Sequence, residues 1–206
     1  MIIVCTGISG VGKRDYFRSL QEKYPKVMIH DVGDQMLTVA RELDIPTSTE
    51  KILDMHEGTL TALRAAAMER FIGKMGEANP SELLLLATHA CFRWRGTLTL
   101  GFNPYYLKKI TEEAQERGHK LLYVCFTDTV GKIWARLQAT KQWENRLEIQ
   151  DILVWRDEEE ALTKTIAEYE KKDFYLLATE EPVDTLVQLG SDPARKKSMW
   201  PIRLRC

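Results

Sequence analysis

Two hydrophobic periods alternate along the chain. Short apolar runs rich in β-branched residues lie at 2–5 and 26–30, and further apolar runs at 82–87, 121–126 and 174–178. Each is bounded by turn residues, the pattern of strands buried on both faces of a parallel sheet. Between them lie segments with apolar residues at helical spacing: 11–23, 35–44, a long stretch from Ser48 or Thr49 to Met75, 104–117, the segment carrying Ile133, Trp134 and Leu137, 151–172, and a short one at 182–190. Asp34 and Asp151 stand where N-caps belong, Pro25 and Pro46 where helices stop, and Gly118 where a C-cap sits. Residues 88–104 read as a long polar and aromatic loop. Strands alternating with helices predict an α/β fold with five mainly parallel strands and helices on both faces.

The loop after the first strand changes this from architecture to chemistry. Residues 1–14 read MIIVCTGISGVGKR. Strand, glycine-rich loop, lysine, helix is the context of a phosphate-binding P-loop. Gly7, Ile8, Ser9, Gly10, Val11 and Gly12 would turn backbone N–H groups onto an anion at a helix N-terminus. Lys13 would reach the outer phosphates. Arg14 stands where the motif places the Ser or Thr hydroxyl that meets Mg²⁺.

In a parallel sheet ligands sit beyond the carboxyl ends of strands. That directs attention to Asp31 and Asp34, to Thr88, His89, Arg93 and Arg95, to Asp128, and to Thr179. Asp31 and Asp34 suit either turn capping or substrate contact. A guanidinium such as that of Arg93 takes two phosphate oxygens at once. His89 reads as a loop-orienting residue. Arg136, Lys141 and Arg146 fit a basic lid over a migrating phosphoryl group.

Composition narrows the partners. The chain has 206 residues and a formal net charge of −1, with 44% hydrophobic and 29% charged residues. That suits one domain at 1–190, with a lid at about 137–150 and a basic tail at 191–206. A near-neutral charge disfavours nucleic acid as the main partner, although the tail sets Arg195, Lys196, Lys197, Arg203 and Arg205 around Trp200 and leaves single-stranded RNA open. Cys5, Cys91, Cys125 and Cys206 have no paired spacing and predict neither disulfide nor zinc. No run approaches the ~20 apolar residues of a membrane span. The first strand starts at residue 2, so a cytoplasmic location is expected.

Four segments together carry a resemblance. GISGVGK, VGDQML at 32–37, THACFR at 88–93, and the span from Arg136 to Asn145-Arg146 are similar, in order, to archaeal-type adenylate kinases, a branch of the P-loop nucleoside monophosphate kinases. The likeness covers roughly residues 2–190. It implies a three-layer P-loop NTPase fold and transfer of the terminal phosphoryl of ATP to a nucleoside monophosphate or related small phosphate acceptor. It also implies small homo-oligomers. On the matching positions, Lys13 would hold the donor phosphates, Arg93 the acceptor phosphate, Arg136 and Arg146 the migrating group, and Asp34, Thr88 and His89 the acceptor side.

The departures fall on the metal. Arg14 replaces the family's Ser or Thr, and Ala87 stands where the family has an Asp that helps hold Mg²⁺. No metal ligand is therefore expected from either position, so Mg²⁺ use is open. Arg14 either supplies part of the ion's charge or holds a phosphate inertly. The second case would make the chain a nucleotide-binding module without catalysis.

Overall fold

The computed structural model describes residues 1–49, 51–79, 81–143 and 147–189. In chain order the elements are β1 (Ile2–Thr6), α1 (Lys13–Lys23), β2 (Met28–Asp31), α2 (Val32–Glu42) and α3 (Glu57–Glu77). Then come β3 (Leu84–Ala87), β4 (Cys91–Trp94), β5 (Thr97–Leu100), α4 (Pro104–Glu116) and β6 (Leu121–Thr127). The last are α5 (Val130–Gln138), α6 (Ile149–Tyr169), β7 (Asp173–Ala178) and α7 (Val183–Gln188).

Five strands form one parallel sheet in the order β2-β3-β1-β6-β7. β1 is central and wholly buried. Its alternation feeds two cores. Ile2 and Val4 face α2, α3 and α4, whereas Ile3 and Cys5 face α1, α5, α7 and the first turns of α6. Each fully buried Ile or Val contributes about 1.5–3 kcal/mol, so β1 fixes the loop after it firmly. The expected three layers are present.

Four local expectations need correction. Asp151 is not the N-cap of α6: Glu148 is, and Asp151 sits in the first turn, accepting from the Glu148 N–H at 2.9 Å. Residues 88–104 are not all loop. β4 and β5 pair as an antiparallel hairpin, Trp94 opposite Thr97. The two-residue turn is Arg95-Gly96, both at positive φ (49° and 83°), the geometry a right-handed hairpin twist requires. Arginine is rare in that role, and its guanidinium rests over Trp94. The expected N-cap Asp34 instead sits inside α2, and Asp31 caps the helix by accepting from the Asp34 N–H at 3.1 Å. The long helix expected from Ser48 or Thr49 is broken. A single 3₁₀ turn at Ile52–Asp54 precedes α3, which His56 caps through Nδ1 accepting from Gly58 N–H.

Cys5, Cys91 and Cys125 are free and buried. Among the described residues no helix is long and apolar enough to cross a membrane. Arg146, Cys206 and the basic tail lie outside the described residues.

Candidate functional site: a P-loop facing a cationic cleft

The loop after β1 has the conformation of a phosphate cradle. Gly7, Gly10 and Gly12 all have positive φ (129°, 76° and 105°), which other residues adopt only with strain. Gly7 also has no room for a side chain, since a Cβ would lie 2.8 Å from the Phe126 carbonyl on β6. Gly12 is the N-cap of α1 and leaves the helix's first N–H groups unblocked by a capping side chain. Those N–H groups and the helix dipole together favour an anion.

Lys13 folds back over the cradle. Its Nζ donates to the Gly7 carbonyl and, at 3.0 Å, to the carbonyl of Thr88 beyond β3. Burial pushes its pKa down, while Glu159 and Asp31 push back. A bound phosphate would give the ammonium oxygens to replace those carbonyls.

Behind Lys13 stands a residue that local spacing did not single out. Glu159 on α6 is fully buried. Its Oε1 accepts from Gly7 N–H at 2.7 Å and Ala90 N–H at 2.9 Å, and its Oε2 from Cys91 N–H at 2.7 Å. The P-loop and the loop after β3 thus hang on one carboxylate.

In front of Lys13 a cleft of about 210 Å³ opens between the P-loop, α2 and the start of α3. Thr88, His89, Asp34, Arg14 and Ala87 line it, as does Gln142 from the segment after α5. Gly101 closes one side, so near the His89 carbonyl that any Cβ would collide with it. His89 is partly buried; that burial, with Lys13 and Arg64 nearby, pushes its pKa well below the ordinary histidine value and leaves it neutral.

Arg64 of α3 also lines this cleft. Its guanidinium carbon lies over the Phe92 ring, 4.1 Å from the ring centre. Burial lowers its pKa to about 10, with no carboxylate opposing that shift. A cation held over a ring without a counter-charge is prepared for an anionic ligand.

Arg93 and Arg136, expected from sequence at the site, do not line this cleft. Arg93 on β4 pairs with Asp151 Oδ1 at 2.9 Å and donates to the Gly96 carbonyl. It is not among the residues lining the cleft. Arg136 sits on the outer flank of the P-loop, donating to the Gly10 and Val11 carbonyls and to Asp128 Oδ2 at 2.7 Å. Thr179 Oγ1 completes the set by donating to the Val11 carbonyl at 3.1 Å. Arg136, Thr179, Glu181, Pro182 and Tyr16 border a second hollow of about 310 Å³ on this flank.

The residues present do not match the hydroxyl-plus-carboxylate cradle that P-loop kinases use for Mg²⁺. Arg14 reaches away from the loop to Asp34, Nη2 to Oδ1 at 2.9 Å. Ala87 offers no ligand atom, and among the described residues no group of three His, Cys, Asp or Glu is placed to hold a metal.

No protein-family model and no curated protein matches the chain. Solved structures do. A protein assigned as a kinase from Chloroflexus aurantiacus matches over 91% of this chain and 92% of its own, at 10% identity and a TM-score of 0.52. Shikimate kinase from Acinetobacter baumannii, determined with shikimate, matches over 91% of both chains at 15% identity and a TM-score of 0.51. Shikimate kinase from Bacteroides thetaiotaomicron covers 92% of this chain and 95% of its own, at 13% identity and a TM-score of 0.50. The chain has the three-layer α/β fold of P-loop kinases.

Proposed function

We propose that the protein is an ATP-dependent phosphotransferase that acts on a nucleoside monophosphate or a related small phosphate acceptor, as the resemblance to archaeal-type adenylate kinases implies. The observation that supports this reading is that Lys13 Nζ donates on one side to the Gly7 carbonyl of its own loop and on the other to the Thr88 carbonyl beyond β3. The donor triphosphate lies in the P-loop with its base in the flank hollow beside Arg136, Thr179 and Pro182. The acceptor phosphate lies in the cleft on Arg64. Asp34, Thr88 and His89 shape the acceptor side. Lys13 spans the oxygens of both phosphates, where charge accumulates during transfer. Arg93 and Arg146 are assigned to the acceptor and migrating groups by the resemblance; Arg93 would have to release Asp151 to serve.

The test is a coupled assay of ATP with a panel of nucleoside monophosphates. Turnover on at least one acceptor, abolished in Lys13→Ala, is expected. No turnover above that control on any acceptor rejects the reading.

The Arg14–Asp34 pair favours a second reading, a nucleotide-binding module without transfer. In it Arg14 neutralises a phosphate that never moves. ATP binding without turnover on any acceptor would support it.

A further inference from the structure

The most costly feature of the molecule is the one its phosphate chemistry does not explain: a carboxylate with no solvent exposure, in the middle of a helix, beneath the P-loop. An isolated buried charge costs several kcal/mol unless its lone pairs are filled. Glu159 fills them with three backbone N–H groups, and among the described residues the nearest basic group is His89, Nδ1 to Oε1 at 3.8 Å.

The partners are informative. Gly7 begins the donor loop, and Ala90 and Cys91 end the loop that carries Thr88 and His89 on the acceptor side. These loops are far apart in sequence and, on the phosphotransferase reading, serve different substrates. Other contacts aim the helix there. Thr163 Oγ1 meets Thr6 Oγ1 at 2.7 Å and donates to the Glu159 carbonyl, and Trp155 Nε1 donates to the Cys91 carbonyl at 3.0 Å.

We propose that Glu159 is a positioning residue that holds the donor loop and the acceptor loop in one fixed register and supplies the negative charge behind Lys13. The claim rests on the phosphotransferase reading for what the loops bind, but not for the tether itself. A fixed register matters because phosphoryl transfer is sensitive to placement errors of an ångström. The charge matters because Lys13 is largely enclosed. It feels Glu159 from α6, Asp31 at the end of β2, the thiols of Cys5 and Cys125 from β1 and β6, and His89 from the loop after β3. Of these Glu159 is the strongest influence keeping the ammonium charged.

The test uses the full chain and two readouts that need no turnover: amide hydrogen exchange at Gly7, Ala90 and Cys91, and the NMR titration of the Lys13 ammonium. In Glu159→Gln the side-chain NH₂ confronts an N–H it cannot accept. Exchange at these three amides should accelerate about tenfold or more, and Lys13 should lose its proton about one pH unit lower. Glu159→Asp keeps the charge but withdraws it by one methylene, so exchange should accelerate with a much smaller change in the titration. Thr163→Val loosens the same helix without touching the carboxylate and should leave the titration unchanged.

Unchanged exchange and titration in a folded Gln variant would overturn the proposal, as would an equal titration shift in Thr163→Val. A wild-type chain showing the protected amides but transferring phosphate to no acceptor would reject the phosphotransferase reading and leave the tether standing.

Discussion

The guanidinium of Arg64 lies 4.1 Å from the centre of the Phe92 ring and faces the cleft that Lys13 borders. The ring orients the fork, and no counter-charge competes for it. Charge-assisted hydrogen bonds to a phosphate are worth about 1.5–3 kcal/mol. Arg64→Ala should therefore raise KM for the acceptor by roughly ten- to a hundredfold and change KM for ATP little. Steady-state kinetics with each substrate varied in turn checks this, and equal effects on both would contradict it.

Arg14 predicts how the chain responds to metal. Its side chain pairs with Asp34 rather than offering a hydroxyl to the loop. Calorimetry should find ATP affinity nearly the same in Mg²⁺ and in EDTA. Arg14→Thr should bind ATP more weakly in EDTA and recover with Mg²⁺. Tight binding by the wild type only in Mg²⁺ would overturn this assignment.

Trp143 ties the segment after α5 to α6. It is buried and packs against Trp155, ring centres 5.3 Å apart and planes tilted by 52°, next to Gln142 at the cleft. Trp143→Ala should cost about 3–5 kcal/mol of stability. It should also raise acceptor KM more than donor KM, because Gln142 loses its anchor. Urea melts and kinetics on the same preparation separate the two effects.

Acid should destabilise the fold through its histidines. His30 is buried, and its Nε2–H donates to the Ala67 carbonyl at 2.8 Å. Burial lowers its pKa from 6.5 to about 4, and the pKa of His119 is also lowered by burial. A lowered histidine pKa means that the unfolded chain takes the proton first. The contribution is complete above pH 6.5 and is lost as pH falls from there through about 4. His30 alone should add a slope of up to about 1.4 kcal/mol per pH unit across that window. Denaturant melts from pH 7 to 4.5 should show it, flattened in His30→Gln.

The sequence made the P-loop side of the cleft readable and hid half of the opposite wall, for a physical reason. GISGVGK is read locally: glycines, lysine and helix start all lie within seven residues, so chain order carries the geometry. Arg64 and Glu159 act from the middles of long helices across contacts distant in sequence. Each carried one faint signal. Arg64 falls on the stripe of Leu60, Leu63 and Ala67, and Glu159 on that of Ile152, Trp155 and Thr163. A charge on a buried stripe needs a partner. In DEEEALTK, however, one acidic residue among four reads as a solvated face. The β4–β5 hairpin was hidden by its turn, since Arg95-Gly96 lacks the Asn-Gly signature.

On the proposed reading, the P-loop and the Arg64 cleft are two ends of one phosphate track that meets at Lys13. A bisubstrate compound, two nucleosides joined by five phosphates, measures this directly by titration calorimetry. It should bind at least about a hundredfold more tightly than ATP, because the second end binds intramolecularly. Lys13→Ala and Arg64→Ala should each remove most of that gain. Binding no tighter than ATP, and indifferent to Arg64, would contradict the account.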